Sequence, residues 1–354
     1  MIEAIQFTGA MNGRNIYGIP FPQLDLKKQI SILLKLFGDE HIERNKKTSD
    51  ATKKARAFII YQVFSDLKSN GFPIKNVLNL SQKHIQSVVD LWLKDEKAAS
   101  TMQVRFSALR WLTRSIGKPD MIKGYAYYGI ADEQIKRTYV AQVDKSWAGN
   151  SVFTSELIAK VTEHDPWVGI CLEMMEQFGL RIRESVLIKP KYSDSGTNLA
   201  IEEGTKGKRT RNVPILTAQQ RIVLDRAALI AKMTKNGNLI PSGKTEIQAV
   251  SRIYYVCKKF GITKDQLNIT PHGLRHGYAN DRYEEVSGMP STVRGKPVNF
   301  DAEKDLLARE VVTRELGHAR TSITAAYTGS RVQGRPPLKS HDVDVNKDAG
   351  CDSA

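Results

Sequence analysis

Cysteine is nearly absent: Cys171, Cys257 and Cys351 are the three in a chain of 354 residues, and no two stand at C-x-x-C spacing. That argues against both a disulfide framework and a thiolate zinc site, and leaves Cys171 and Cys257 as small core residues. Long apolar runs are missing too. With 41% hydrophobic and 26% charged residues the composition is that of a globular chain, and no stretch is able to cross a bilayer. Met1–Phe7 has no basic stretch followed by an apolar one, so no secretory signal is read and a cytoplasmic location is expected. Negative charge is scarce relative to positive: 38 Asp and Glu stand against 53 Lys and Arg, a formal net charge of +15. Such an excess attracts a polyanion and releases its counterions on binding, which makes nucleic acid the leading partner.

The length predicts roughly two domains. Residues 1–20, with scattered Gly and Asn and no sustained period, read as a flexible arm. Over 21–118 the apolar spacing is helical: Leu26, Ile30, Leu33 and Phe37; Ala55, Phe58, Ile59 and Leu67; Ile85, Val88, Val89 and Trp92; Phe106, Leu109, Leu112 and Ile116. Ser100, with Gln103 three positions on, predicts a hydroxyl cap for the last of these four helices. Lys53, Lys54, Arg56, Arg105 and Arg110 are placed on the outer faces, where they could contact phosphates. The Gly-punctuated residues 119–149 read as a linker.

A second domain is expected over 150–330, with helices at 154–162 and 166–179. Two strands, Asn198–Glu202 and Arg211–Ile215, flank the Gly-bearing turn Gly204–Lys208 and signal a hairpin. The fold class expected is therefore mainly α with a small antiparallel β-sheet, an α+β chain. The stretch Ser287–Asp301 has no period, and residues 331–354 read as a polar disordered tail.

Four short patterns carry chemistry. Gly179-Leu180-Arg181-Ile182-Arg183-Glu184 ends an apolar helix at Gly and presents an Arg with a Glu three positions on. The hairpin tip Thr205-Lys206-Gly207-Lys208-Arg209-Thr210-Arg211 can carry an ammonium into a DNA groove, where it can donate a proton to a leaving oxygen. Pro271 suits a helix start, after which His272 and Arg275 share a face and His276 follows. No Cys or carboxylate stands near these histidines at ligand spacing, so zinc is not expected there. Last, Leu316-Gly317-His318 precedes Tyr327 by nine positions, counted from His318. Each pattern alone is common on protein surfaces.

In this order, G-L-R-x-x-E, a Lys-Gly hairpin ending in R-x-V-P, H-x-L-R-H, and L-G-H followed by Tyr resemble the tyrosine recombinase family, the integrases of phages and integrative elements. The resemblance implies a helical core DNA-binding domain followed by a catalytic domain. It implies that Arg181 and Arg275 clamp the scissile phosphate, that His272 and His318 assist, that Lys206 is the general acid and that Tyr327 is the nucleophile. Glu184 and His276 are expected to support them, and Lys208, Arg209 and Arg211 to contact DNA. It further implies double-stranded DNA as partner, a homo-oligomer, expected as a tetramer on paired sites, and accessory DNA-bending or directionality proteins. It implies neither a metal, a cofactor nor a membrane, and a nucleoid location within the cytoplasm. A type IB topoisomerase shares this chemistry and religates the same strand, and a DNA-binding module with a dead site would share only the charge.

Overall fold

The computed structural model describes residues 21–39, 47–205, 207 and 209–331. The expected arm, Lys206, Lys208 and all of the expected tail except Arg331 lie outside the described residues. The chain divides into two compact units, Met1–Arg137 and Thr138–Ala354, and the fold is mainly helical with one two-stranded antiparallel sheet.

The first unit is built on α1 (Leu26–Phe37), α2 (Asp50–Ser69), α3 (Gln82–Lys94) and α4 (Ala99–Ser115), with the short α5 (Asp132–Ile135) closing it. Asp25 Oδ1 accepts from the Lys28 amide at 2.9 Å and so caps α1, and Ser49 Oγ does the same for α2 through the Thr52 amide at 3.3 Å. The apolar stripes meet in one core that includes Ile30, Leu33, Val63, Leu67, Val88, Trp92, Phe106 and Leu109. The start of α4 differs from expectation. It begins at Ala99 without a side-chain cap, because Ala98 stands at the N-cap and Ser100 lies inside the helix; Gln103 donates instead from Nε2 to the Ile135 carbonyl at 2.8 Å.

The expected linker 119–149 is also corrected. Tyr128, Ile130 and Ile135 are buried in the first core, with the Tyr128 ring 5.5 Å from that of Phe106, and Trp147 is buried in the second core. The glycines there punctuate tight turns between apolar anchors. Residues 136–139 run exposed and without helix or strand at the junction of the units.

The second unit contains α6 (Thr154–His164), α7 (Pro166–Phe178), α8 (Ile182–Leu187), α9 (Pro190–Ser193), β1 (Asn198–Ile201), β2 (Arg211–Pro214), α10 (Ala218–Ala231), α11 (Glu246–Lys259), α12 (His272–Ser287), α13 (Ala302–Glu315) and α14 (Ala325–Thr328). Helix α7 is the centre: Val168, Ile170, Leu172, Met174, Met175 and Phe178 are all buried, and α12 packs on it. The sheet pairs Asn198 with Pro214 and Ile201 with Arg211. The strand period of two turns Leu199, Ile201, Val213 and Arg211 inward together. Cys171 and Cys257 are buried in this core as expected.

The patternless stretch 287–301 is a brace. Arg294 donates from Nε to Asp144 Oδ2 at 2.9 Å, and from Nη1 to Asp281 Oδ1 at 2.6 Å and Glu284 Oε2 at 3.2 Å. Its neighbours Thr292 and Val293 lie under Gly329, just past α14. Among the described residues no helix is long and apolar enough to cross a membrane.

The placement of the exposed segment has a direct test. Brief trypsin treatment is expected to cut first after Lys136 or Arg137 and leave two protected fragments, read by mass spectrometry. Early cuts within 118–130 would instead restore the broader linker.

Candidate active site

Four local structures bring the motif residues together. Helix α7 stops at Gly179, whose left-handed φ of 59° turns the chain sharply. A Cβ here would stand 2.6 Å from the Tyr278 ring, so glycine is required twice over. The turn aims the Gly179 carbonyl at Arg275 and places Arg181 at the N-cap of α8. Glu184, one turn into α8, reaches back to the Arg181 amide at 2.7 Å and to the Arg181 guanidinium at 2.7 Å.

On α12, His272, Arg275 and His276 lie three and four positions apart and share a face. Helix α13 ends at Leu316 and Gly317, with Gly317 at a φ of 65°; the turn aims the Leu316 carbonyl at Arg275 Nη2, 2.6 Å away. His318 follows, and Tyr327 is carried back to the same place on α14.

Arg275 is wholly buried. Its Nη1 donates to the Gly179 carbonyl, its Nη2 to Leu316 O, and its Nε to the Tyr327 hydroxyl at 3.3 Å. Nη2 also stands 3.4 Å from His318 Nε2. The Tyr327 ring stacks near His318, with centroids 5.4 Å apart and planes at 24°. It lies 4.6 Å from the His276 ring and 6.1 Å from that of His272. Arg181, Arg275, His272, His276, His318 and Tyr327 thus converge on one pocket, in one subunit.

In this state the nucleophile candidate covers Arg275, so that the expected two-guanidinium clamp presents only Arg181 outward, its side chain 23% exposed. The segment that carries Tyr327 is held as well, beginning with Asn280 Nδ2, which donates to the Tyr327 carbonyl at 3.5 Å. Arg309 Nη1 donates to Thr328 Oγ1 and Gly329 O at 3.2 and 3.0 Å, and Thr313 and Thr324 share a hydrogen bond of 2.6 Å.

Glu184 organises the cations. It is fully buried and takes both Nη atoms of Arg211, at 2.9 and 2.6 Å, besides Arg181, with Arg275 Nη1 at 3.9 Å. Burial alone would raise its pKa, but the Arg211 and Arg181 interactions prevail and hold the carboxyl down, at about 2. Arg211 was expected to touch DNA. Instead its side chain is 2% exposed, and its Nε donates to Glu315 O at 2.7 Å. The reason is the strand period, which points Arg211 the same way as Val213.

Sequence reasoning missed the other half of this network: Glu315 accepts from the Tyr278 hydroxyl at 2.6 Å and from Arg282 Nε at 3.0 and 3.1 Å. Tyr278 and Arg282, spaced by four on a face of α12 with buried neighbours, were the available signal.

The three imidazoles are pushed down, His272 to about 4 and His276 and His318 to about 3. Desolvation is the first cause for each; the Arg275 and Arg181 charges follow for His272 and His318, and the His272 and Lys145 charges for His276. All three are neutral at pH 7. Arg275, lowered by desolvation to about 10, keeps its charge. The Nδ1 atoms of His276 and His318 are buried and have no partner among the described residues.

Of the other expected DNA contacts, Lys54 and Arg209 are exposed. Lys53 is paired with Asp39 and Asp50. Arg105 and Arg110 are half-buried, Arg105 over the Trp92 ring and Arg110 over the rings of Phe106 and Tyr125. Arg56 is buried, donating to Gly38 O at 3.1 Å and stacking 4.6 Å from Trp111; an inward position on α2 makes it part of the core, and it is withdrawn as a phosphate contact. Among the described residues no cluster of His, Cys, Asp and Glu could hold a metal ion.

Comparison with known proteins follows the same division. A family model described as "Phage integrase, N-terminal" matches residues 40–122, and one described as "Integrase" matches residues 136–281. A search of curated proteins gave no match. Among solved structures, lambda integrase (residues 75–356), as a dimer bound to a COC′ core site, aligns with a TM-score of 0.57 at 14% identity over 89% of this chain and 99% of that one. The Tn1549 transposon integrase in complex with transposon right end DNA aligns at 0.55 and 11% identity, over 88% and 96%. XerH site-specific recombinase bound to a palindromic difH substrate aligns at 0.50 and 17% identity, over 86% and 81%. At these identities the likeness speaks for the fold.

Two stability measurements test the site. The unfolded chain takes up protons near pH 6.5 that the folded imidazoles refuse down to about 3 or 4, so stability is expected to fall as pH drops from 6.5 toward 4.5. Each deeply buried imidazole contributes on the order of 1 kcal/mol per pH unit, and His272, whose ring edge meets water, contributes less. In urea titrations His276→Phe and His318→Phe should each flatten that slope; an unchanged slope would contradict the assignment. Glu184 acts in the same direction over a lower window: its contribution is complete above pH 4.5 and is lost as pH falls through about 2. At neutral pH, Glu184→Ala should lower the unfolding free energy by roughly 3–5 kcal/mol, because it strands a buried guanidinium.

Proposed function

The chain belongs to the tyrosine recombinase family, and on that premise we propose that it is a site-specific recombinase that cuts and rejoins DNA through a 3′-phosphotyrosyl intermediate on Tyr327. The observation that carries the reading is the convergence of Arg181, Arg275, His272, His318 and the Tyr327 hydroxyl on one pocket.

In the proposed step the Tyr327 oxygen attacks phosphorus and the bond from phosphorus to the 5′ oxygen breaks. The phenol proton passes to a neutral imidazole, for which the low pKa values of His272 and His318 leave the ring free at pH 7. The departing 5′ oxygen takes its proton from Lys206. A phenol of ordinary pKa near 10 is ionised in only about one part in a thousand at pH 7, so it needs such help.

The guanidiniums of Arg181 and Arg275 supply the positive charge that matches the charge building on the non-bridging oxygens. For Arg275 this requires an exchange: Tyr327 leaves Nε as phosphate arrives. The ester formed is close in energy to the one broken, so a DNA hydroxyl reverses the step without ATP.

Double-stranded DNA is the substrate in this reading, and strand exchange between two duplexes needs several subunits. Solved lambda integrase assemblies include a dimer on a core site and a tetramer on a Holliday junction, which supports a homo-oligomer, a tetramer on paired sites. Accessory DNA-bending or directionality proteins belong to the same proposal, as the means of bringing paired sites together.

The test uses the full chain and a library of nicked duplexes with randomised sequence. Wild-type protein is expected to yield denaturant-resistant protein–DNA adducts whose sequence defines the site. Tyr327→Phe should abolish them while leaving binding nearly intact, and Arg181→Ala should reduce them by at least about a hundredfold, the loss of several kcal/mol of charge stabilisation. An adduct that survives in Tyr327→Phe refutes the nucleophile. Relaxation of supercoiled DNA without recombinants on paired sites would turn the reading to a type IB topoisomerase.

A further inference from the structure

Residues 141–147 form a strap that ties the two halves of the pocket to each other. At one end the Ala141 amide donates to Ala325 O at 2.8 Å, two positions before Tyr327. At the other, Trp147 Nε1 donates to Thr270 O at 2.8 Å, just before α12. Between them the strap presses on Gly273: a Cβ on that residue would stand 2.8 Å from both Lys145 O and the Trp147 ring. Ala141, Ser146 and Trp147 are buried, yet Lys145 is exposed.

The Lys145 ammonium is left available by its surroundings. Its neighbour Asp144 is turned away, with Oδ2 on Arg294 Nε at 2.9 Å and Oδ1 on the Ser146 amide at 2.8 Å. Among the described residues no carboxylate pairs with Lys145. Its charge is felt at His272, where that of Arg181 is also felt, and at His276. A fixed backbone, an unpaired cation and a position beside the outward-facing His272 are what a phosphate contact requires.

We propose that Lys145 is a phosphate-binding residue of this site, its ammonium taking a non-bridging oxygen of the DNA backbone next to the scissile phosphate, on the His272 side. The proposal rests on the recombinase reading above for the identity of the anion. It adds a cation from the strap, outside the motifs, to the charge around the reacting phosphorus.

The experiment compares wild type with Lys145→Gln and Lys145→Arg in the full chain, with equal urea midpoints as the check on folding. Binding to a random-sequence duplex is followed against salt: loss of one phosphate contact should lower the slope of log affinity on log salt by about 0.9 in Lys145→Gln, with recovery in Lys145→Arg. On the nicked duplex captured by wild type, adduct formation by Lys145→Gln should slow at least about tenfold. Neutral methylphosphonate at the neighbouring phosphate should slow wild type but leave Lys145→Gln no slower than before. A Lys145→Gln protein with wild-type slope and rate overturns the proposal. If wild type forms no adduct at all, the recombinase reading fails, and the salt slope still decides whether Lys145 meets phosphate.

Discussion

The second unit turns on one carboxylate. Glu184 is buried with no water-facing edge and is shared by the guanidiniums of Arg211 and Arg181, with that of Arg275 within 4 Å. A carboxylate taken from water is costly unless paired and hydrogen-bonded, and this one is both. The arrangement makes elements from separate parts of the chain interdependent: the start of α8, the strand β2, the first turn of α12 and the end of α13, which enters through the Glu315 carbonyl on Arg211. The three cations repel one another as surely as Glu184 attracts them. Their standing positive potential is what a phosphodiester entering the pocket would meet, and their spacing would be hard to keep without the central anion.

The fold was legible where periodicity is strong. The apolar stripes of α1 to α4 and the run in α7 are decided by burial, and the hairpin by its glycine turn and alternating strands. Boundaries were less so. Gln103 reads as a capping residue on spacing alone, but a carbonyl more than thirty positions away competes for it. Residues 119–149 look like a linker because glycine marks turns equally well inside a core, as Tyr128 and Trp147 demonstrate.

The motif residues were legible because chemistry restricts them to few types, whereas the residues that hold them in place were not. Arg211 looked like one more basic residue on a basic hairpin, though alternation with Val213 already pointed it inward. Arg56 looked like a surface charge, but its position in the register of α2 sets it against Trp111. Glu315 and Tyr278 belong to no motif, and only the meeting of α12 with α13 gives them to each other. The stretch 287–301 has no period because its work is done by single side chains, Arg294 foremost. Pairing of this kind, at long sequence separation, leaves no local pattern.

On the proposed reading, the contact between the Tyr327 hydroxyl and Arg275 Nε would set the order in which the pocket can be used. While the phenol occupies that donor, a small free anion such as inorganic phosphate would have to displace it with no other binding energy to draw on. A duplex brings many contacts beyond the one phosphate, and those can fund the displacement. On the recombinase reading, the protein's own side chain would act as a size filter, keeping the buried Arg275 covered against small free phosphates and yielding it only to a polymer.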